Sequence, residues 1–130
     1  MARKPKSSPE SPPAQKVEAK LRVGFLLTPR FTLVAFAGFV DALRLAADEG
    51  DRSRQRLCTW AILGNEDTVV TSSCGASVRP TAPMESPQVY DYLVVVGGLL
   101  HGGQQVPRSL YAFLREAAAH GVKLIGLCTG

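Results

Sequence analysis

The sequence predicts an α/β domain with helices on both faces of a mostly parallel sheet. Three observations predict it. Asp91–Val96 (DYLVVV) is a short run apolar on both faces, as in the middle of a parallel sheet. Leu110, Phe113, Leu114, Ala117 and Ala118 then recur at helical spacing, and Val122–Leu127 (VKLIGL) is a second apolar run, so strand, helix and strand form a βαβ unit. An earlier strand-then-helix pattern, Leu21–Thr28 followed by residues 33–49, supplies a helix for a sheet face.

Residues 1–20 carry four prolines, three serines and mixed charges, with almost nothing to bury, and read as a disordered tail. Leu21–Thr28 (LRVGFLLT) is a buried strand closed by Pro29. Thr32 can cap the helix that follows, whose apolar stripe is Leu33, Phe36, Ala37, Val40, Leu43 and Ala47, with Gly50 as its stop. Arg56–Leu63 (RLCTWAIL) is the next strand, ended by Gly64-Asn65. Thr68–Val70 and Ala76–Arg79 flank Ser-Ser-Cys-Gly as a small β-hairpin, and residues 81–88, with two prolines, form a loop. Gly97-Gly98 ends the DYLVVV strand, Pro107 suits a first helical position, and Gly121 ends the second helix after His120.

The chain has 130 residues, enough for one domain, residues 21–130, behind the tail. Its formal net charge of +4 is uneven. Residues 1–20 hold five Lys or Arg against two acids, whereas residues 21–130 hold ten against nine. The globular part has no large positive field to hold a nucleic-acid backbone by itself. Three cysteines, Cys58, Cys74 and Cys128, form no CxxC pair, and His101 and His120 are isolated, so neither a disulfide framework nor a metal site is expected, and no cofactor is implied. No apolar run reaches the ~18 residues that span a bilayer, and no apolar segment follows the N-terminal charges as in a signal peptide. A cytoplasmic location is the default expectation.

Strand ends are where open α/β sheets place their sites. Thr28-Pro29-Arg30, Gly97-Gly98-Leu99 and Cys128-Thr129-Gly130 all fall there. Gly126-Leu127-Cys128-Thr129-Gly130 has the form G-x-C-x-G, the cysteine version of a nucleophile elbow, in which glycines allow a sharp turn that lifts the side chain out of the sheet. The alternative is a small buried cysteine at a tight turn. Gly97 and Gly98 could bring backbone N–H groups to a bound oxyanion, or simply make a turn. Leu99 and Thr129 border the same place. His101 could face the cleft or sit in solvent, and Arg30 could meet an anionic ligand or be ordinary surface charge. His120 most simply interacts with the carbonyls of its own helix end. Asp41 and Arg44 suit a solvated or interface helix face, Trp60 and Phe36 suit the core, and Cys58 and Cys74 are expected to be inert.

Val23–Ala47 (VGFLLTPRFTLVAFAGFVDALRLA), Tyr92–Gly98 (YLVVVGG) and Leu124–Gly130 (LIGLCTG), with their spacing, resemble the ThiJ/PfpI branch of the class I glutamine amidotransferase-like superfamily. Within it they are most similar to the N-terminal domain of GlxA-type regulators of the AraC class. The resemblance implies a flavodoxin-like three-layer sandwich, usually dimeric, that continues past Gly130 and precedes two helix-turn-helix motifs. It maps the family's elbow cysteine onto Cys128 and its strand-end glycines onto Gly97 and Gly98. The family's enzymes keep a glutamate after the first strand that tunes the thiol; aligned on Phe31–Phe36, that place holds Ala35. The resemblance therefore implies a sensor of a small-molecule metabolite, acting as a homodimer, more than a thiol amidohydrolase, deglycase or hydratase. DNA contact would need the C-terminal region, no membrane partner is expected, and the 130-residue chain alone is expected to be poorly soluble or associated.

Overall fold

The structure, a computed structural model, describes residues 19–48, 50–103 and 106–130. The tail expected over residues 1–20 lies outside the described residues up to residue 18, as does Glu49 at the expected end of the first helix. In chain order the elements are β1 (Leu21–Leu27), α1 (Leu33–Ala47), β2 (Cys58–Ile62), β3 (Val70–Thr71), β4 (Ser77–Val78), a single 3-10 turn (Pro87–Val89), β5 (Tyr92–Val96), α2 (Arg108–Ala119) and β6 (Lys123–Leu127).

Four strands form one sheet in the order β2-β1-β5-β6, and every pairing is parallel. Each turns apolar side chains to both faces, so two helices are needed to cover it. Phe25 and Leu27 lie level with Val94 and Val96, and these four meet Phe36 and Ala47 of α1 in one buried cluster. Phe25 packs edge-on against Phe36 and Phe39, with ring centroids 5.4 and 5.6 Å apart. On the other face Leu26, Leu63 and Leu93 meet Leu110, Phe113 and Ala117 of α2. The result is the three-layer α/β arrangement that the sequence predicts, with α1 and α2 on opposite faces.

Gly24 explains how the α2 face closes. A Cβ there would sit 2.7 Å from Leu93 and 2.8 Å from Leu63, so the two leucines fill the space a side chain would take. The chain runs from β1 to β2 on one side and returns to β5 on the other. The switch point of the sheet therefore lies between β1 and β5, and their carboxyl ends flank the crevice that such a reversal opens.

Several local details differ from the sequence expectation. Pro107 is the residue before α2 rather than its first helical residue, and Arg108 opens the helix. Pro107 has φ −59° and ψ 141°, an extended ψ that a helical residue does not have. The loop over 81–88 runs into the 3-10 turn at Pro87, whose fixed φ suits such a turn. The β3–β4 hairpin forms as expected, with Val70 opposite Val78 and a Gly75 of φ +88° in its turn. Gly121, at φ +75°, stops α2, and His120 interacts with the helix end through its ring Nδ1, 2.8 Å from the Glu116 carbonyl.

Removing the central strand's packing should be costly. Leu93→Ala, at a fully buried position, is expected to lower unfolding stability by about 2–5 kcal/mol, which denaturant titration would read as a fall in midpoint without a change in slope.

Candidate functional site

The site is built where three turns meet. The first follows β1. Thr28 is buried and its hydroxyl donates to the Val96 carbonyl at 3.0 Å, tying this turn to the end of β5. Phe31 N–H closes the turn on the Thr28 carbonyl at 3.0 Å, with Arg30 between them at φ +61°. The Arg30 N–H donates to Thr71 and the Phe31 carbonyl accepts from Ser73, so the hairpin braces the turn from outside. Phe31 is fully buried and pairs antiparallel with Gly98.

The second turn is the diglycine after β5. A Cβ on Gly98 would strike the Arg30 carbonyl oxygen and lie 2.7 Å from the Phe31 Cα. A Cβ on Gly97 would strike the Thr129 hydroxyl and lie 2.5 Å from the Gly130 nitrogen. The pair is thus clasped between the turn after β1 and the turn after β6, backbone against backbone. Gly97 donates to the Leu127 carbonyl at 3.1 Å and accepts from Thr32 N–H at 2.9 Å; Leu99 N–H donates to the Arg30 carbonyl at 3.2 Å. The N–H groups of Gly97 and Leu99 are therefore engaged inside the protein.

The third turn carries the cysteine. Cys128 follows β6 directly, is exposed, and has φ +59°. That left-handed conformation is unfavourable for a residue with a side chain and is a recurrent feature of nucleophile elbows. The turn is closed by Gly130 N–H on the Leu127 carbonyl at 3.0 Å, and a Cβ on Gly126 would strike the Gly130 carbonyl oxygen. Thr129 fastens it to the diglycine by donating to the Gly98 carbonyl at 2.9 Å.

Thr32 has a role that its sequence position does not announce. It stands at the N-cap of α1 but makes no side-chain cap bond. Its hydroxyl lies 3.3 Å from the Cys128 sulfur instead. A Ser or Thr before a helix normally signals a cap, and the competing partner lies 96 positions further along the chain. Ala35, three residues into α1, is half-buried against the core and brings no carboxylate to the crevice.

The other singled-out residues are placed as follows. His101 and Leu99 are exposed in the segment after the diglycine, in a turn that Gly103 N–H closes on the Leu100 carbonyl. Arg30 is half-buried and its guanidinium donates to the Gly103 carbonyl at 3.2 Å, pinning that segment to the end of β1. Asp41 and Arg44 pair on the outer side of α1, an ion pair of the weak solvent-screened kind. Among the described residues no group of three or more His, Cys, Asp or Glu could hold a metal ion, and no helix is long and apolar enough to cross a membrane. A cleft of about 610 Å³ lies on the α2 side of the turn after β1. It takes in Arg30 but not Cys128, Gly97, Gly98, Leu99, His101 or Thr129.

A parallel sheet flanked by α1 and α2, with an exposed cysteine on a left-handed turn beside a clasped diglycine, defines an α/β domain of the cysteine-elbow class. Its fold is that of the ThiJ/PfpI, or DJ-1-like, superfamily: a ThiJ/PfpI protein from Pseudomonas syringae superposes with a TM-score of 0.65 at 20% identity, over 97% of this chain and half of that one. It is also similar to AraC-type regulators. An AraC family transcriptional regulator from Pseudomonas putida aligns with a TM-score of 0.64 and 28% identity, over 82% of this chain and 55% of that one. The HTH-type transcriptional regulator GbdR of Pseudomonas aeruginosa is 34% identical over 109 residues, which is 83% of this chain but 28% of the regulator. No family model matches the chain.

Cys74, expected from the sequence to be as inert as Cys58, is chemically distinct from it. The Ser72 hydroxyl, 3.2 Å from the Cys74 sulfur, and then the Ala76 backbone hold the exposed Cys74 thiol below its usual range, while burial raises that of Cys58. With a small alkylating agent, Cys74 is expected to react ahead of Cys58 and at lower pH than an ordinary thiol. Ser72→Ala should move its pH profile upward, as read by mass spectrometry of labelled peptides.

Proposed function

We propose that this chain is the ligand-sensing part of a GlxA-type, AraC-class transcriptional regulator that works as a cytoplasmic homodimer. DNA would be contacted by a helix-turn-helix region outside these 130 residues. The observation that carries the reading is the 34% identity to an HTH-type regulator across 109 residues, 83% of this chain. The chain spans less than a third of that regulator.

In this reading a small metabolite binds at the strand ends beside Cys128. Thr129, Leu99 and His101 form its surroundings, whereas Arg30, also expected there from the sequence, lines the α2-side cleft. Gly98 is the remaining backbone donor of the diglycine, since Gly97 and Leu99 donate within the protein. Metabolite binding would shift the population between two arrangements of the dimer, and the DNA-binding region would read the difference.

A second reading draws support from the elbow itself. A cysteine held at φ +59° and open to solvent is placed as a nucleophile would be. A thiol amidohydrolase, deglycase or hydratase would use it. Ala35, in the place of the activating glutamate, weighs toward sensing.

Cys128→Ser in the full-length protein separates the two. The sensor reading expects metabolite-dependent DNA binding to survive. A saturating metabolite should raise unfolding stability by about 2.7 kcal/mol at a hundred times its dissociation constant, with or without the sulfur. Turnover of a substrate that disappears with the sulfur would instead establish the enzyme.

A further inference from the structure

We infer that the cleft on the α2 side is a second small-molecule site, selective for a monocarboxylate with an aliphatic tail. It is separate from the crevice at Cys128 and does not depend on the regulator reading. The cleft's volume of about 610 Å³ is of the size that holds small organic ligands. Its floor is apolar. Leu26, Leu63 and Leu110 belong to the buried α2-side core, and Met84 packs against that core. Such a floor takes a hydrocarbon chain and gains about 25 cal/mol for each Å² removed from water.

Charge selects the head group. Among the described residues Arg30 is the sole charged one lining the cleft, and no acid stands in its walls. The neighbouring Glu66 and Asp67 are exposed on the adjoining turn and are not part of the lining. The root of the Arg30 side chain is fixed, because its N–H donates to Thr71 at 2.8 Å and its carbonyl accepts from Leu99 at 3.2 Å. One guanidinium donor reaches Gly103, and the group has five, enough for a carboxylate as well. The first turn of α2 also opens on the cleft at Pro107 and Ser109, and that helix starts without a side-chain cap, so its positive end adds to the same preference. One cation above an apolar floor suits a monoanion.

Hexanoate is the probe, with hexanol and hexylammonium as neutral and cationic counterparts, and calorimetry on the full-length protein is the readout. Hexanoate should bind saturably, hexanol more weakly and hexylammonium least. Arg30→Gln should weaken hexanoate by about tenfold or more, the scale of a lost charge-assisted pair. Ser109→Trp, at an exposed position on the rim, should block binding while leaving the fold intact, so the test stands even if the Arg30 variant misfolds. Cys128→Trp should leave hexanoate binding unchanged. Absence of saturation, equal binding of hexylammonium, or binding that survives Ser109→Trp and is lost in Cys128→Trp would overturn the assignment. The last pattern would return the ligand to the cysteine crevice and leave the sensor reading standing.

Discussion

The clasp on Gly97-Gly98 is the constraint from which the rest of the site follows. Two backbone turns, one after β1 and one after β6, approach the end of β5 so closely that neither glycine has room for a Cβ. The contact does not depend on long side chains. It is made by carbonyls, amides and Cα atoms that parallel pairing brings level with one another. Once β1, β5 and β6 are in register, the three turns have to meet, and glycine is the residue that lets them.

The position of the sulfur follows from that meeting. The turn after β6 is held by Thr129 to the diglycine and by Gly130 to the end of its own strand, and between those ties Cys128 takes a left-handed backbone. The strain of that conformation is offset by the surrounding ties. Thr32 then meets the sulfur from the start of α1, so the cysteine is contacted by a hydroxyl on the helix whose neighbouring Ala35 offers no carboxylate. That partner is a neutral hydroxyl. It lacks the basicity that general-base activation asks for.

Much of this was legible from the order of residues. DYLVVV announces a central strand because its last four residues, Leu93–Val96, are all apolar, and the elbow pattern places Cys128 at a strand end. The two helical stripes place α1 and α2 over a sheet with two apolar faces, and His120 at the end of α2 binds a helix carbonyl as expected. What stayed hidden depends on distance along the chain. Thr32 reads as a cap because local rules are the ones a sequence exposes, whereas its partner is brought near by sheet topology. Gly97-Gly98 reads equally well as oxyanion donors or as a turn, and only the neighbouring backbones show how tightly the pair is packed. The α2-side cleft has no motif at all, since Leu63, Met84 and Pro107 come from three separate connections around Arg30.

The short link between β1 and α1 acts as a party wall. Pro29 and Arg30 face the broad cleft on one side, while Thr32, two residues on, touches the sulfur on the other. A substitution in this short link is therefore placed to be felt on both of its sides.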